Sequence, residues 1–301
     1  MDSNEEIREF LMSRRAKLSI NDVELPDFGG RRRVPGLRRE EVAILAGVSP
    51  EYYKRLERGN AKGVSESVLD GVARALQLDQ AERTYLDDLV RAANAGTHPS
   101  RRRQPARRLQ VRPRVQQMID AMSTVPVFVQ NGRLDAIATN QLGRALFSAM
   151  FDDPTAPTNA ARFIFLDPRA QEFYADWDGN ARQVVALLRA EAGRSPYDRT
   201  LGDLVGELST RSDLFARLWG SHDVRVHQTG LKRVRHSVVG DLDLDFEAMP
   251  LASEPGLQTL VFSAEPGSTS AEALQLLASW AATAHLAPLG ALRDRTGSGG
   301  S

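Results

Sequence analysis

Glu51, Tyr52, Lys54, Arg55 and Arg58 stand together in SPEYYKRLERG, and Arg31, Arg32, Arg33, Arg38 and Arg39 lie just upstream. The chemistry open to this set is recognition rather than bond-breaking. A guanidinium grips both acceptors of a guanine edge or sits on a phosphate, a carboxylate accepts from a cytosine amine, and a phenol ring meets a thymine methyl or a phosphate. Glu51, Tyr52 and Arg55 are the candidates for base edges. Glu51 has an equally good structural use as a first-turn carboxylate favoured by the helix dipole. The Arg31–Arg33 triplet with Arg38 and Arg39 is assigned to a phosphate backbone or an adjacent minor groove, with a solvated loop as its plain alternative.

Other reactive types give less. The chain has no cysteine, so neither a thiolate metal site nor a cysteine nucleophile is available. His222 and His227 are five apart across a predicted strand, which turns their side chains to opposite faces. His236 shares a strand face with Val234 and Val238, as a hydrogen-bonded core histidine or a ligand contact. Asp241, Asp243 and Asp245 have the spacing of a calcium loop, yet Phe246 stands where the sharp-turn glycine belongs, and a solvated strand face explains them better. Neither a phosphate-cradling glycine loop nor a Gly-x-Ser-x-Gly elbow occurs. No enzyme, metal or cofactor is expected.

The elements that must position the basic set are short. Arg39–Ala46 keeps Val42, Leu45 and Ala46 on one helical stripe, and Gly47 follows where a left-handed residue ends a helix cheaply. Ser49 is placed as an N-cap and Pro50 as the first helical residue. A second helix then runs through Tyr53 and Leu56 to a stop at Gly59. Ser49 can also touch a phosphate, and Pro50, Glu51, Tyr52, Lys54, Arg55 and Arg58 point outward while Tyr53 and Leu56 point in. Two helices joined at Gly47 have the layout of a helix-turn-helix, whose second helix enters the DNA major groove.

The stretch RRRVPGLRREEVAILAGVSPEYYKRLERG resembles the helix-turn-helix of the Xre/Cro-repressor family, in the branch that carries an MmyB-like ligand-binding domain. Its Ala43, Gly47, Val48, Tyr53, Leu56, Glu57 and Gly59 stand at the family's spacing, and Glu57 is read as structural. Around it, Glu5–Leu18 forms helix one. Ser65 caps a fourth helix, and Asp79 with Glu82 forms a capping box for a fifth. Residues 1–95 are therefore expected to be an all-α, five-helix repressor-type domain. Residues 96–113, with Arg101, Arg102, Arg103, Arg107 and Arg108 among Gly, Ser and Pro, read as a basic linker: a second backbone contact or a solvated hinge.

Residues 114–288 change character. Asn131-Gly132 between VPVFVQ and RLDAIAT signals a hairpin. Phe163 and Phe165 suggest a strand. Helices follow over roughly 168–177, 180–192 and 201–219, the last broken near Ser209. GDLDLDFEAM and LQTLVFSAE read as strands, and a helix runs from Ser270 to about His285. This order predicts an antiparallel sheet with helices, α+β overall. The half resembles the MmyB-like ligand-binding domain through ARFIFLDP, GLKRVRHSVVGDLDLDFE and VFSAEPGSTSAEALQLLASW. The likeness implies a PAS-like sensor fold with a cavity for a small apolar effector, fatty-acid-like or a secondary metabolite. Phe128, Phe165, Trp177, Trp219, His236 and Phe246 are the pocket candidates, and Arg162 is the cation chosen to meet a carboxylate. Residues 289–301, ending GSGGS, are left as a flexible tail.

Net charge is zero, but residues 1–110 carry 21 Lys and Arg against 17 Asp and Glu, and residues 111–301 carry 18 against 22. A basic half joined to an acidic half suits a DNA-binding domain joined to something else. The charged N-terminus and the lack of a long apolar run predict a cytoplasmic chain without a membrane partner. The expected function is a sequence-specific transcriptional regulator, acting as a homodimer on double-stranded DNA under control of an effector. The alternatives are a DNA-bound interaction scaffold and, further off, an enzyme carrying a DNA-binding domain.

Overall fold

The computed structural model describes residues 3–23, 36–94, 110–152, 158–221 and 229–286. In chain order these hold α1 (Ser3–Lys17), α2 (Arg39–Ala46), α3 (Pro50–Glu57), α4 (Glu66–Ala75), α5 (Gln80–Asn94), α6 (Pro113–Ala121), β1 (Val127–Asn131), β2 (Ala136–Thr139), α7 (Gln141–Leu146), α8 (Ser148–Phe151), α9 (Ala160–Leu166) and α10 (Arg169–Phe173). Then come α11 (Trp177–Arg194), α12 (Arg199–Arg211), α13 (Asp213–Gly220), β3 (Thr229–His236), β4 (Gly240–Pro250), β5 (Leu257–Ser263) and α14 (Thr269–Leu286). The fold is α+β. Two compact units emerge: α1–α5 with α12, α13 and α11 from Ala181 onward form the first, and the sheet with α6–α10 and α14 forms the second.

In the first unit the local signals act where the sequence places them. The Glu41 carboxylate accepts from the Arg38 N–H at 2.7 Å to start α2, and Gly47, at φ 70°, ends it. Ser49 Oγ accepts from the Tyr52 N–H at 3.2 Å. Asp79 and Glu82 exchange backbone-to-carboxylate bonds of 2.9 and 3.0 Å ahead of α5. Ile7, Phe10, Leu11, Val42, Tyr53, Leu56, Val72, Leu86 and Leu89 make the core, each burying a side chain worth roughly 1.5–3 kcal/mol. The break after α12 falls at Ser212 rather than near Ser209, because Ser212 Oγ accepts from the Phe215 N–H at 3.2 Å and caps α13.

Helix α11 also belongs to this core through Arg189, which has no exposed surface. Its guanidinium reaches Glu6 of α1 at 2.9 Å, lies 4.3 Å from the Trp219 ring centroid and donates to the Trp219 carbonyl. Tyr85 of α5 donates to the same Glu6 carboxylate at 3.0 Å. Gly193 lets α11 close on α5, since a Cβ there would stand 2.6 Å from the Tyr85 ring.

The second unit is built on one antiparallel sheet in the order β2-β1-β5-β4-β3. The hairpin forms where expected, but not with a two-residue turn. Asn131 Oδ1 collects the N–H groups of Arg133 and Asp135 at 2.9 and 3.0 Å, and Leu134 rather than Gly132 takes the left-handed conformation, at φ 66°. The Phe163–Phe165 segment is helix α9, not a strand. Asn159 caps it, accepting from the Arg162 N–H at 3.0 Å, and the helix buries Phe163 and Ile164 while Phe165 stays half-buried.

Pairing fixes two faces. Phe128, Phe262, Phe246, Leu244, Lys232, Val234 and His236 share one; Val127, Val129, Leu257, Asp243 and Arg233 share the other. Helix α6 covers the apolar half of the second face with Ile119.

Candidate nucleic-acid interface and aromatic core

The geometry of the interface is set by Glu57, at the last residue of α3. Its carboxylate is 1% exposed and accepts from Arg15 Nε of α1 at 2.6 Å, from Arg39 Nε of α2, and from the Tyr53 hydroxyl at 3.4 Å. One acid thus fastens α1, α2 and α3 together. Hydrogen bonding to Glu57 pushes the Arg39 guanidinium further up, and burial, followed by the Glu57 charge, pushes the Tyr53 phenol up, so both keep their protons. Gly59, at φ 89°, then turns the chain where any Cβ would collide with the Asn4 carbonyl.

With its inner face fixed, α3 presents the rest outward. Glu51, Arg55 and Arg58 are exposed, and Tyr52 and Lys54 are half-buried. Lys54 Nζ meets Glu51 Oε1 at 3.1 Å, and the Arg55 guanidinium lies 4.7 Å from the Tyr52 ring centroid. These pairs order long side chains before any partner arrives, lowering the entropy lost on binding. Ser49, Glu51, Tyr52, Lys54, Arg55 and Arg58 line an open groove of ≈ 640 Å³ together with Asn60, which sequence reasoning did not select. Lys62 was missed as well; it lines an adjoining cleft of ≈ 460 Å³ with Arg58 and Asn60. Both lie beyond the end of the helix, where periodicity carries no information.

Of the remaining candidates, Pro50 is exposed at the start of α3 and Arg38 half-buried at the start of α2. Arg39 is tied to Glu57 with its side chain 43% exposed. Arg31, Arg32 and Arg33 lie outside the described residues, as do Arg101, Arg102, Arg103, Arg107, Arg108, His222, His227 and residues 289–301.

In the second unit, Phe128 and Phe246 are buried in a cluster of aromatic rings that also holds Phe147, Phe151, Phe163, Phe173, Tyr174 and Phe262. His236 is a satisfied core histidine: Nε2–H donates to the Ala145 carbonyl at 3.0 Å, and Nδ1 accepts from the Val238 N–H at 3.2 Å. That neutral tautomer leaves neither ring nitrogen for a ligand. Trp177 donates from Nε1 to the Ile164 carbonyl at 3.0 Å. Arg162 and Phe165 sit half-buried on α9. Trp219 belongs to the first unit, where it stacks on Phe215, 5.6 Å between centroids.

Asp241, Asp243 and Asp245 are exposed on β4, and Arg233 approaches Asp243 at 3.6 Å across the strands. Among the described residues no group of three His, Asp or Glu side chains could hold a metal ion. No described helix is long and apolar enough to cross a membrane.

Comparison with known families places two matches on this geometry. A helix-turn-helix domain model matches residues 11–86, and a model described as the MmyB-like transcription regulator ligand binding domain matches residues 111–277. No curated protein matches the sequence. The second match includes α11–α13, the helices that pack with α1–α5.

Proposed function

This chain belongs to the family of transcription regulators with an MmyB-like ligand-binding domain, and from that premise we propose a sequence-specific regulator whose operator affinity is set by a small, largely apolar effector. The helix-turn-helix makes the protein a DNA-binding regulator. The finer reading is carried by the outward face of α3, where Glu51, Tyr52 and Arg55 stand on a helix fixed from behind by Glu57.

In this reading the domain is of the Xre type. Glu51, Tyr52 and Arg55 meet base edges, while Ser49, Pro50, Lys54, Arg58 and Arg38 contact the backbone, with Arg31, Arg32 and Arg33 beside them. Arg39 contributes through its exposed guanidinium edge. One recognition helix reads only a few base pairs, so two chains act on half-sites about 34–36 Å apart. The second domain, taken as PAS-like, holds its effector against the aromatic cluster that includes Phe128 and Phe246. The effector shifts operator affinity by favouring one arrangement of the protein over another. The setting is the cytoplasm.

Selection from a random duplex pool tests the DNA half: an enriched sequence should bind on the order of a thousandfold tighter than bulk DNA at one salt concentration. If no sequence is enriched, the specific-regulator reading fails. Native mass spectrometry tests the effector half, expecting a co-purifying apolar molecule that changes affinity for the selected duplex when stripped. If stripping leaves that affinity unchanged, the effector reading fails.

A further inference from the structure

Helix α11 lies within the segment that the ligand-binding-domain model matches, yet from Ala181 onward it packs with α1–α5. The residue that joins it there is Arg189. Its guanidinium meets the Glu6 carboxylate of α1 at 2.9 Å, the Trp219 carbonyl of α13 and the face of the Trp219 ring, itself stacked on Phe215. Glu6 also accepts from the Tyr85 hydroxyl of α5 at 3.0 Å, and Tyr85 packs edge-on against Phe10 of α1, 5.2 Å between centroids. Burial, followed by the Glu6 charge, pushes the Tyr85 phenol up, so it stays a donor to that carboxylate. One acid therefore ties α1 to both α5 and α11.

Stability does not account for this cluster. A buried ion pair regains in attraction about what it loses in hydration, and apolar side chains of the same volume would hold three helices at least as well. What the pair adds is direction. Apolar faces slide past each other easily, whereas a planar guanidinium seated on a carboxylate, a carbonyl and a ring fits in one place. Helix α1 is thereby fixed along its own axis, and it carries two supports of the C-terminal end of α3. Arg15 holds Glu57, and the Asn4 carbonyl stands where a Cβ of Gly59 would, at the point where the chain leaves α3. Glu6 is two residues from Asn4 and roughly 13.5 Å along the helix from Arg15, so a shift of α1 at Glu6 carries both supports with it.

We propose that Arg189 is a positioning residue for operator recognition: through Glu6 it sets where α1, and with it α3, stands. Helices α11–α13 are then part of the DNA-reading apparatus. This assignment rests on the reading of α3 as the recognition helix.

The test compares binding of full-length protein to the selected duplex and to random duplex, by anisotropy at one salt concentration and below the melting temperature of each variant. Arg189→Met and Glu6→Gln should each lower the ratio of the two affinities by about tenfold, the scale of one misplaced base contact, while affinity for random duplex changes by less than about twofold. Glu6→Gln keeps the side-chain volume and an acceptor for Tyr85, and it decides the matter should Arg189→Met fail to fold. A lower melting temperature with the ratio intact makes the cluster a packing device and overturns the proposal, as does an equal loss on both duplexes. If Arg55→Ala lowers the ratio while those two variants leave it intact, the reading of α3 stands and Arg189 has no part in it. If wild type itself shows no preference for the selected duplex, the reading of α3 fails and this assignment with it.

Discussion

Glu57→Gln removes the charge at the junction of α1, α2 and α3 while keeping side-chain volume and one acceptor oxygen. The cost follows from the exposures of the two arginines. Arg15 is 12% exposed and Glu57 1%, so their pair is nearly buried, and breaking such a pair costs about 3–5 kcal/mol because the surviving charge is stranded. Arg39 is 43% exposed and loses under about 1 kcal/mol, as surface pairs do. The Tyr53 hydroxyl, at 3.4 Å, adds little. Since glutamine keeps a neutral hydrogen bond, a net loss of about 3 kcal/mol is expected, which lowers the melting temperature of this unit by about 6–12 °C. Scanning calorimetry of the full chain should give that shift for Glu57→Gln, a similar one for Arg15→Met and a much smaller one for Arg39→Met. Equal losses from the two arginine variants, or a Glu57→Gln shift within error of zero, would refute the assignment of the acid to the α1–α3 junction.

Three further outcomes are expected. Arg55→Ala should lose about 1–3 kcal/mol on the selected operator and little on random duplex, measured by anisotropy; equal losses would move Arg55 to the phosphate class. Replacing Arg31, Arg32 and Arg33 together by Ala should weaken binding to all duplexes alike and reduce the slope of log K against log salt by up to about three units; an unchanged slope would remove them from the backbone. Lys232→Met should raise stability at neutral pH: the folded ammonium titrates near 8 against 10.5 when exposed, so the unfolded chain binds more protons in that window. Wild type is penalised below about pH 8 and gains stability as pH rises towards 10.5, by roughly 2 kcal/mol at most because the side chain is only half-buried, offset by about 1 kcal/mol for its contacts with the Tyr174 and Phe246 rings. Urea midpoints that do not converge for the two proteins between pH 7 and 10 would contradict it.

What could be seen beforehand were the signals that act within a few residues. Gly47, Ser49, Pro50 and the Asp79–Glu82 box each satisfy backbone groups next to themselves, so their roles survive without knowledge of the rest of the fold. Where alternatives competed locally, reading was harder. ARFIFLDP alternates aromatics as a strand does, and the Asn159 cap, together with the burial of Phe163 beside Ile164, decides for helix. Asn131-Gly132 marks the hairpin correctly but not its turn, because the Asn131 side chain gathers two N–H groups of a longer loop. Arg189 was beyond reach: its acid, Glu6, stands 183 residues away, and nothing in VVALLRAEAG announces it.

Lys232 differs from Arg189, because strand parity alone gives the face it occupies. Strand parity put His236 on the face of Val234, and the same count of two puts Lys232 there as well. Arg162, a cation beside two phenylalanines in the sequence, lies instead on a helix. Adjacency along the chain is a poor guide to shared faces: in α9, Phe163 is buried and Arg162 half-buried, and in β3, Lys232 and Arg233 are neighbours turned to opposite sides. Of those two, the one with an acid partner, Arg233, needs no explanation beyond a strand at the surface. The other, Lys232, is half-buried on the inner face, with Nζ 5.6 Å from the Tyr174 ring centroid and 5.3 Å from that of Phe246.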